Sequence, residues 1–197
     1  MKYTKIPSDT FKHLQLNAGV LVKSFTPATA TLGTLIGATT GGVTFNATPT
    51  FVDFGDDIDN CPKNMKELKK LDSWEAKMSG TFISMTASMV KSLLGAADVD
   101  TSDSTKIVPR NEILDADFED IWWVGDYSDE NGTNGGYIAI HLMNALSTGG
   151  FQIKSSDKAK GQFAFDYTAH YAMTDSEGAD STDVVPFEIY AKAGSST

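Results

Sequence analysis

The sequence predicts a mainly β protein, built as a β-sandwich or β-barrel with one packed α-helix and extended loops. Many segments alternate apolar and polar residues with a period of two, which is typical of half-buried strands. A single segment instead repeats its apolar residues every three to four positions, which indicates a helix. The polar, glycine-rich connections between these segments are too short to separate independent cores.

The first strands come from two segments that contain turn signals. HLQLNAGVLVKSF predicts a hairpin in which Leu14 and Leu16 precede a turn at 17–19, and Val20 and Val22 follow it. GVTFNATPTFVDF, residues 42–54, is aromatic and β-branched, but Pro49 restricts it to a sheet edge, a bulge or a bent hairpin.

The longest alternation is GQFAFDYTAHYAM, residues 161–173, which predicts a strand with an aromatic face and a polar face. Shorter segments of the same kind complete the set of strands, and they are SWEAKMSGTFI, FEDIWWVGDY, GYIAIHLM, FQIKSS and VPFEIYAKAG.

The helix is predicted at 86–96, within SMTASMVKSLLGAAD. Met85, Met89 and Leu93 recur at a spacing of four, which places them on one face of a helix. Ser84 or Thr86 can cap its start and Gly95 its end. A weaker helical turn is predicted in CPKNMKELKKL, residues 61–71.

All 197 residues are interpreted as one domain. Residues 1–12 are a candidate N-terminal arm and residues 193–197 a flexible C-terminal tail. Three polar segments, 98–106, 125–136 and 174–183, are predicted to be exposed loops.

The charge of the chain argues against tight binding of nucleic acid. Lysine and arginine total 16 against 26 aspartate and glutamate, which gives a net charge of −10. Nucleic acids are held mainly by cationic side chains that displace counterions from phosphates. DNA could still move past a surface that repels it.

Cysteine usage and the chain start bear on redox chemistry and location. Cys61 is the only cysteine, so an internal disulfide and a cysteine zinc cluster are both excluded. The first 19 residues lack the apolar run of a signal peptide, and no segment approaches the ~18 apolar residues of a membrane span. We therefore expect synthesis in the cytoplasm, no membrane partner and no cofactor.

Asp166, Thr168 and His170 form a polar row on the predicted strand 161–173. Residues on one face of a strand are ~7 Å apart, whereas a nucleophilic triad needs hydrogen bonds of ~3 Å. The row is therefore interpreted as a solvated or subunit-facing surface.

Two acidic segments and one glycine-rich segment are not interpreted as sites. DFGDDIDNC, residues 53–61, departs from a calcium loop because Cys61 and Pro62 stand where ligand and glycine are needed. GDYSDENG, residues 125–132, lacks the later glutamate, and LGTLIGATTGG lacks the lysine of a phosphate loop.

The adjacent Trp122 and Trp123 must face opposite sides of a strand. One is predicted to lie in the core, and the other to meet a helix, a loop or another subunit. Because aromatic residues are enriched at interfaces, the pair points to assembly.

The order of several stretches resembles the major tail tube proteins of long, non-contractile-tailed phages. These stretches are NAGVLV, IGATTGGVTF and FVDFGDDIDNCPKNMKELKKLDSWEAKMSGTF, followed by GDYSDENGTNGGYIAIHLMNALSTGGFQIKSSDKAKGQFAFDYTAHYAM. The resemblance covers roughly residues 12–173.

The resemblance implies a structural virion protein, not an enzyme. Six copies would form a ring, and stacked rings would form a tube with an acidic lumen that conducts double-stranded DNA without specific binding. Other tail proteins would meet the tube ends. Segments 37–62 and 125–136 would reach neighbouring subunits, and the candidate contact residues are Phe45, Phe51, Phe54, Ile58, Trp122 and Tyr127.

Two alternatives remain open. A carbohydrate-binding or other tail-surface adhesion module would need exposed aromatic residues, which Trp122, Tyr127 and Tyr137 could supply. An enzyme would need histidines and carboxylates that converge in a pocket.

Overall fold

The protein is a mainly β molecule with a large antiparallel sheet and one short helix, as seen in a computed structural model that describes residues 5–7, 10–127, 136–173 and 183–194. In these ranges the strands are β1 Val20–Val22, β2 Phe25–Thr26, β3 Thr31–Leu32, β4 Leu35–Gly37, β5 Thr39–Asp53, β6 Lys69–Phe82, β7 Ala97–Val99, β8 Ile107–Pro109, β9 Glu119–Tyr127, β10 Gly136–Ser147, β11 Gln152–Lys154, β12 Gln162–Thr168 and β13 Phe187–Lys192. The helix α1 spans Ala87–Leu94, and short 3-10 turns occur at Thr10–His13 and Asp115–Asp117.

The main sheet has nine strands in the order β4-β1-β9-β10-β12-β6-β5, with β11 beside β12 and β13 beside β10. Across the described residues it does not close into a barrel, since β4 and β5 end the path without pairing. They are adjacent in the chain, however, with only Ala38 between them.

Strand β10 belongs to both halves of the sheet. Residues 137–142 pair with β9 on one side and β13 on the other, whereas Leu146 and Ser147 pair with β12. The change of partner occurs at a register shift between Leu142 and Ala145, where Asn144 has a φ of 48°. A bulge of this kind bends a strand, so β10 can pass from one half to the other.

The two halves share a core that α1 completes. Met78 and Phe82 of β6 and Phe165 and Tyr167 of β12 pack with residues of β1, β9 and β10 in one buried cluster. Leu93 of α1 belongs to the same cluster.

The helix prediction is confirmed with its caps. The Thr86 side chain accepts a hydrogen bond from the Met89 amide, and Gly95 follows the last turn with a φ of 74°. Met89 and Leu93 face the core, as their spacing predicts. In segment 61–71 the Leu68 and Lys69 amides donate to the Met65 carbonyl, which makes one turn before β6 begins.

The prediction of a hairpin around residues 17–19 is wrong. Gln15 pairs with Tyr127 and the Leu16 amide donates to the Asp126 carbonyl, so this segment lies against β9 and not against β1. Trp123 explains the arrangement, because its indole Nε1 donates to the Ala18 carbonyl at 3.0 Å. Gly19 passes so close that an added Cβ would lie 2.4 Å from the Trp123 ring.

Two other predicted segments differ in detail. The predicted strand 161–173 stops at Thr168, and Tyr171 and Met173 beyond it are exposed. The predicted loop 98–106 is shorter, because Asp98 and Val99 belong to β7 and the chain returns through β8. Loop 174–183 lies outside the described residues except for Asp183, and loop 125–136 is described only at its two ends, within β9 and β10.

Pro49 lies in β5, which is an edge strand of the described sheet, as the sequence predicts. The register of β5 against β6 shifts between Thr50 and Phe51, directly after this proline. Proline has no amide hydrogen to donate to a ladder, so an edge position next to an irregularity accommodates it.

Candidate functional site

The first candidate site is an extension of the sheet, formed by the outer parts of β5 and β6 and the turn between them, residues 48–75. Strand β12 pairs with β6 only from Lys77 to Phe82, so in the described chain the β6 residues of the extension pair with β5 alone. Seven residues of β6, 69–75, extend roughly 20 Å at the usual rise of a strand. A two-stranded hairpin by itself is marginally stable in water.

The base of the extension is fastened to the rest of the protein. Trp74 contacts the Phe187 ring edge-on with a centroid separation of 5.5 Å, and its amide donates to the Tyr171 hydroxyl at 2.8 Å. At the tip, the Asp53 carboxylate accepts hydrogen bonds from the Gly55 and Asn64 amides. The first carboxylate of the acidic segment 53–61 therefore closes a turn.

The outer part of the extension exposes its large apolar side chains. Phe51 is 52% exposed, Phe54 58% and Ile58 50%. Val52, Met65 and Leu71 are exposed as well. A concentration of exposed apolar side chains on a monomer marks an interaction surface.

The six predicted contact residues divide into two groups. Phe51, Phe54 and Ile58 lie exposed on the extension, which leaves them available to a neighbour. Phe45, Trp122 and Tyr127 are less accessible: Phe45 packs against the core, Trp122 is 7% exposed, and Tyr127 contacts His13.

Trp122 and Tyr137 lie in a second, smaller core on the other face of the sheet. Both contact the Phe25 ring, with centroid separations of 5.7 Å and 5.0 Å, and the Tyr137 hydroxyl donates to the Pro27 carbonyl. Each is 7% exposed, so these two residues form no exposed aromatic platform for a sugar. The hairpin β2–β3 therefore supplies, through Phe25, the packing partner that the sequence alone does not identify for Trp122.

The second candidate site is a cavity of about 540 Å³ beside this smaller core. Six polar residues line it, and they are Asp120, His141, Asn144, His170, Glu188 and Tyr190. Trp122, Met143, Val184 and Pro186 contribute apolar surface. The cavity has the size and the mixed lining of a small-molecule pocket.

The register of three strands builds the centre of this cavity. His141 of β10 lies opposite Trp122 of β9 and Glu188 of β13. The imidazole stacks on the Trp122 ring with a centroid separation of 3.9 Å and an interplanar angle of 9°. The His141 side chain is only 11% exposed.

Both ring nitrogens of His141 face carboxylates. Nε2 lies 3.3 Å from Oδ2 of Asp120, and Nδ1 lies 3.9 Å from Oε2 of Glu188. Neither contact is a hydrogen bond, and both nitrogens are buried atoms without a hydrogen-bond partner. The contact with His141 and a hydrogen bond from the Asn144 amide hold the pKa of the Asp120 carboxyl below its usual value, despite its partial burial.

This arrangement differs from a catalytic dyad. A general base needs one nitrogen oriented by a partner and the other free to meet a substrate proton. Here each nitrogen of His141 lies near a carboxylate without a hydrogen bond to it, and one face of the ring stacks on Trp122. The cavity does bring together two histidines, His141 and His170, with the carboxylates of Asp120 and Glu188, which is the convergence that an enzyme would need.

The three residues of the predicted polar row, Asp166, Thr168 and His170, lie in different surroundings. Asp166 and Thr168 lie on β12, where Asp166 is opposite Ser79 and the Thr168 hydroxyl contacts the Thr148 hydroxyl at 2.9 Å. His170 lies past the end of the strand, where its Nδ1 contacts the Asn144 carbonyl and it lines the cavity. The three residues therefore form no common site.

Sequence reasoning missed the cluster around His141. The parity of each strand places Trp122 with Asp120, and Glu188 with Tyr190, on one face of their own strands. The sequence does not reveal which residues lie opposite each other across β9, β10 and β13, and that register brings the cluster together.

Comparisons with known proteins do not assign this chain to a family. No family model matches the chain, and no curated protein matches it. In the described part of the chain, no group of three or more histidine, cysteine and acidic side chains is placed to hold a metal ion. Within the same residues, no helix combines the length and the apolar character needed to cross a membrane.

Proposed function

We propose that this protein is a structural subunit of a hollow homo-oligomeric tube, of the kind that forms the tail of long, non-contractile-tailed phages. Six copies would form each ring, and the rings would stack. The tube would conduct double-stranded DNA without binding it specifically, and would meet other tail proteins at its ends. The protein would be made in the host cytoplasm and function in the virion tail.

The observation that carries this proposal is the extension of residues 48–75. Phe51, Phe54 and Ile58 are each half exposed or more, on a two-stranded segment that has little stability of its own. Burial against a neighbour would stabilise the segment and remove these side chains from water. A second copy of the chain is the partner that the resemblance to tail tube proteins suggests.

Two further features support a tube of this type. The sheet bends at β10 so that its two halves enclose one core with α1, which is compatible with the sandwich that we infer for the subunit. The net charge of −10 would allow a lumen that repels DNA and so prevents adhesion during transit.

We propose a structural role and not an enzymatic one. His141 is the residue best placed for acid–base chemistry, and both of its ring nitrogens face carboxylates. The aromatic residues considered for sugar binding also give that alternative little support, because Trp122 and Tyr137 are buried.

Electron microscopy of the purified protein tests the proposal. We expect six-fold rings or tubes of uniform bore from the wild type. A variant combining Phe51→Ser, Phe54→Ser and Ile58→Ser should remain monomeric, because the side chains that drive the contact become polar.

The matched control combines Phe51→Leu, Phe54→Leu and Ile58→Leu, which keeps these positions apolar and should still assemble. A wild-type protein that stays monomeric at every concentration would refute the proposal. Assembly of the serine variant with wild-type efficiency would refute the role of the extension.

A further inference from the structure

The cavity beside His141 combines negative charge with an apolar wall. Asp120 and Glu188 line it with side chains that are 54% and 46% exposed, so both carboxylates can be reached by a ligand. None of the described residues that line it is a lysine or an arginine. Trp122, Met143 and Val184 provide apolar surface next to these carboxylates.

We propose that this cavity binds an organic cation, an alkylammonium or guanidinium group carried on an apolar stem. The cationic head contacts the exposed sides of the Asp120 and Glu188 carboxylates, beside the His141 ring that lies between them, and forms charge-assisted hydrogen bonds there. The stem lies along the apolar wall formed by Met143 and Val184. This site goes beyond the tube and does not depend on it.

His141 lies between the same two carboxylates that receive the cation, so its ring limits the space that the head group can occupy. The groups that face the ring are Asp120 from β9 and Glu188 from β13, with Tyr190 donating to Glu188 and His170 lining the cavity from the segment after β12.

Two sources could supply the cation, namely a free amine and a basic side chain of a second copy of this chain. Both present the same chemistry to the cavity. A free amine leaves the oligomeric state unchanged when it binds, whereas an amine that displaces a second copy releases smaller species.

The test uses n-butylammonium as the probe on the full chain, followed by calorimetry and tryptophan fluorescence, with n-butanol as the uncharged counterpart of the same shape. We expect saturable binding of the ammonium and none of the alcohol. Asp120→Asn and Glu188→Gln should each weaken binding about tenfold, because each removes one charge-assisted contact. Asp157→Asn removes the same charge from an exposed turn outside the cavity and should change affinity by less than about twofold.

A variant at His141 separates the role of this ring from that of the carboxylates. In His141→Gln binding of n-butylammonium should persist, because both carboxylates that receive the cation remain. Thermal melts of each variant check that it is folded, and sedimentation with and without n-butylammonium identifies the source of the cation.

Three results would overturn the proposal. These are the absence of saturable binding to the folded wild type, equal binding of the ammonium and the alcohol, and equal losses in Asp120→Asn and Asp157→Asn. None of them bears on whether the chain forms rings, because that is measured separately by microscopy.

Discussion

Phe82 and Phe54 lie on one continuous β-hairpin, yet Phe82 is fully buried while Phe54 is 58% exposed. Phe82 belongs to the body, by which we mean the described residues outside 48–75, and its ring packs on Phe165 with a centroid separation of 4.4 Å. Phe54 belongs to the extension, where β6 has β5 as its only strand partner among the described residues. The body is therefore stabilised by its own core, whereas the extension depends on what it meets.

The largest effect should come from truncating these two phenylalanines. Phe82→Ala should lower the free energy of unfolding by about 3–5 kcal/mol, because it leaves a cavity in the core. Phe54→Ala should change it by no more than about 0.5 kcal/mol in the dilute monomer. Urea unfolding of both variants measures the difference.

Equal losses in the two variants would contradict the distinction between body and extension. They would mean that Phe54 packs within the monomer in solution. A loss for Phe54→Ala that appears only at high protein concentration would instead support the distinction, because assembly would then be the cause of the loss.

A smaller effect on the free energy of unfolding should come from the exclusion of water around Tyr167 in the body. Burial raises the pKa of the Tyr167 hydroxyl to about 12, although its hydrogen bond with Ser92 opposes the shift. The group is protonated in both states below pH 10, so this contribution to stability is constant there. Between about pH 10 and pH 12 only the unfolded state loses its proton, so stability should fall by about 2–3 kcal/mol.

Unfolding measured in urea across that pH range tests this expectation, with Tyr167→Phe as the control. The phenylalanine variant should lack this part of the alkaline loss. Identical pH profiles for the two proteins would show that the Tyr167 hydroxyl is accessible to water, against the dry interior assigned to the body.

The smallest effect concerns the helix that closes the core. Thr86→Ala removes the side chain that accepts from the Met89 amide and should cost about 1 kcal/mol. Thr86→Ser keeps the hydroxyl and should retain most of the stability. If serine costs as much as alanine, the hydrogen bond of the cap contributes nothing to the body.

Local features of the fold could be predicted from the sequence because they depend on neighbours in the chain. The spacing of Met89 and Leu93 and the caps Thr86 and Gly95 define α1, and all four lie within about three turns of helix. The edge position of Pro49 follows in the same way from a missing donor on the residue itself.

Features that depend on pairing between distant strands could not be predicted. Leu14 and Leu16 alternate like a strand, but the segment lies against β9 because Trp123 binds the Ala18 carbonyl. His141 meets Asp120 and Glu188 only through the register of three strands. Alternation gives the face of each residue, whereas register requires knowing which strands are neighbours.

The candidate contact residues show the same division. Phe51, Phe54 and Ile58 lie in a segment whose exposure is consistent with the prediction of contacts. Trp122 is predicted as a contact residue because one of two adjacent tryptophans needs a partner outside the core, and the chain supplies that partner in Phe25. Whether any of the six meets a neighbouring subunit stays a prediction.

Strand β10 belongs to both halves of the sheet, and this has a consequence for folding during synthesis. Because β10 completes both halves of the sheet, neither half is finished until residue 147 has left the ribosome. The first half also waits for β13, which ends at Lys192, and the second half for β12, which ends at Thr168. A growing chain therefore carries its future core uncovered through most of its synthesis, and we expect nascent chains that stop before β12 to need chaperones to avoid aggregation.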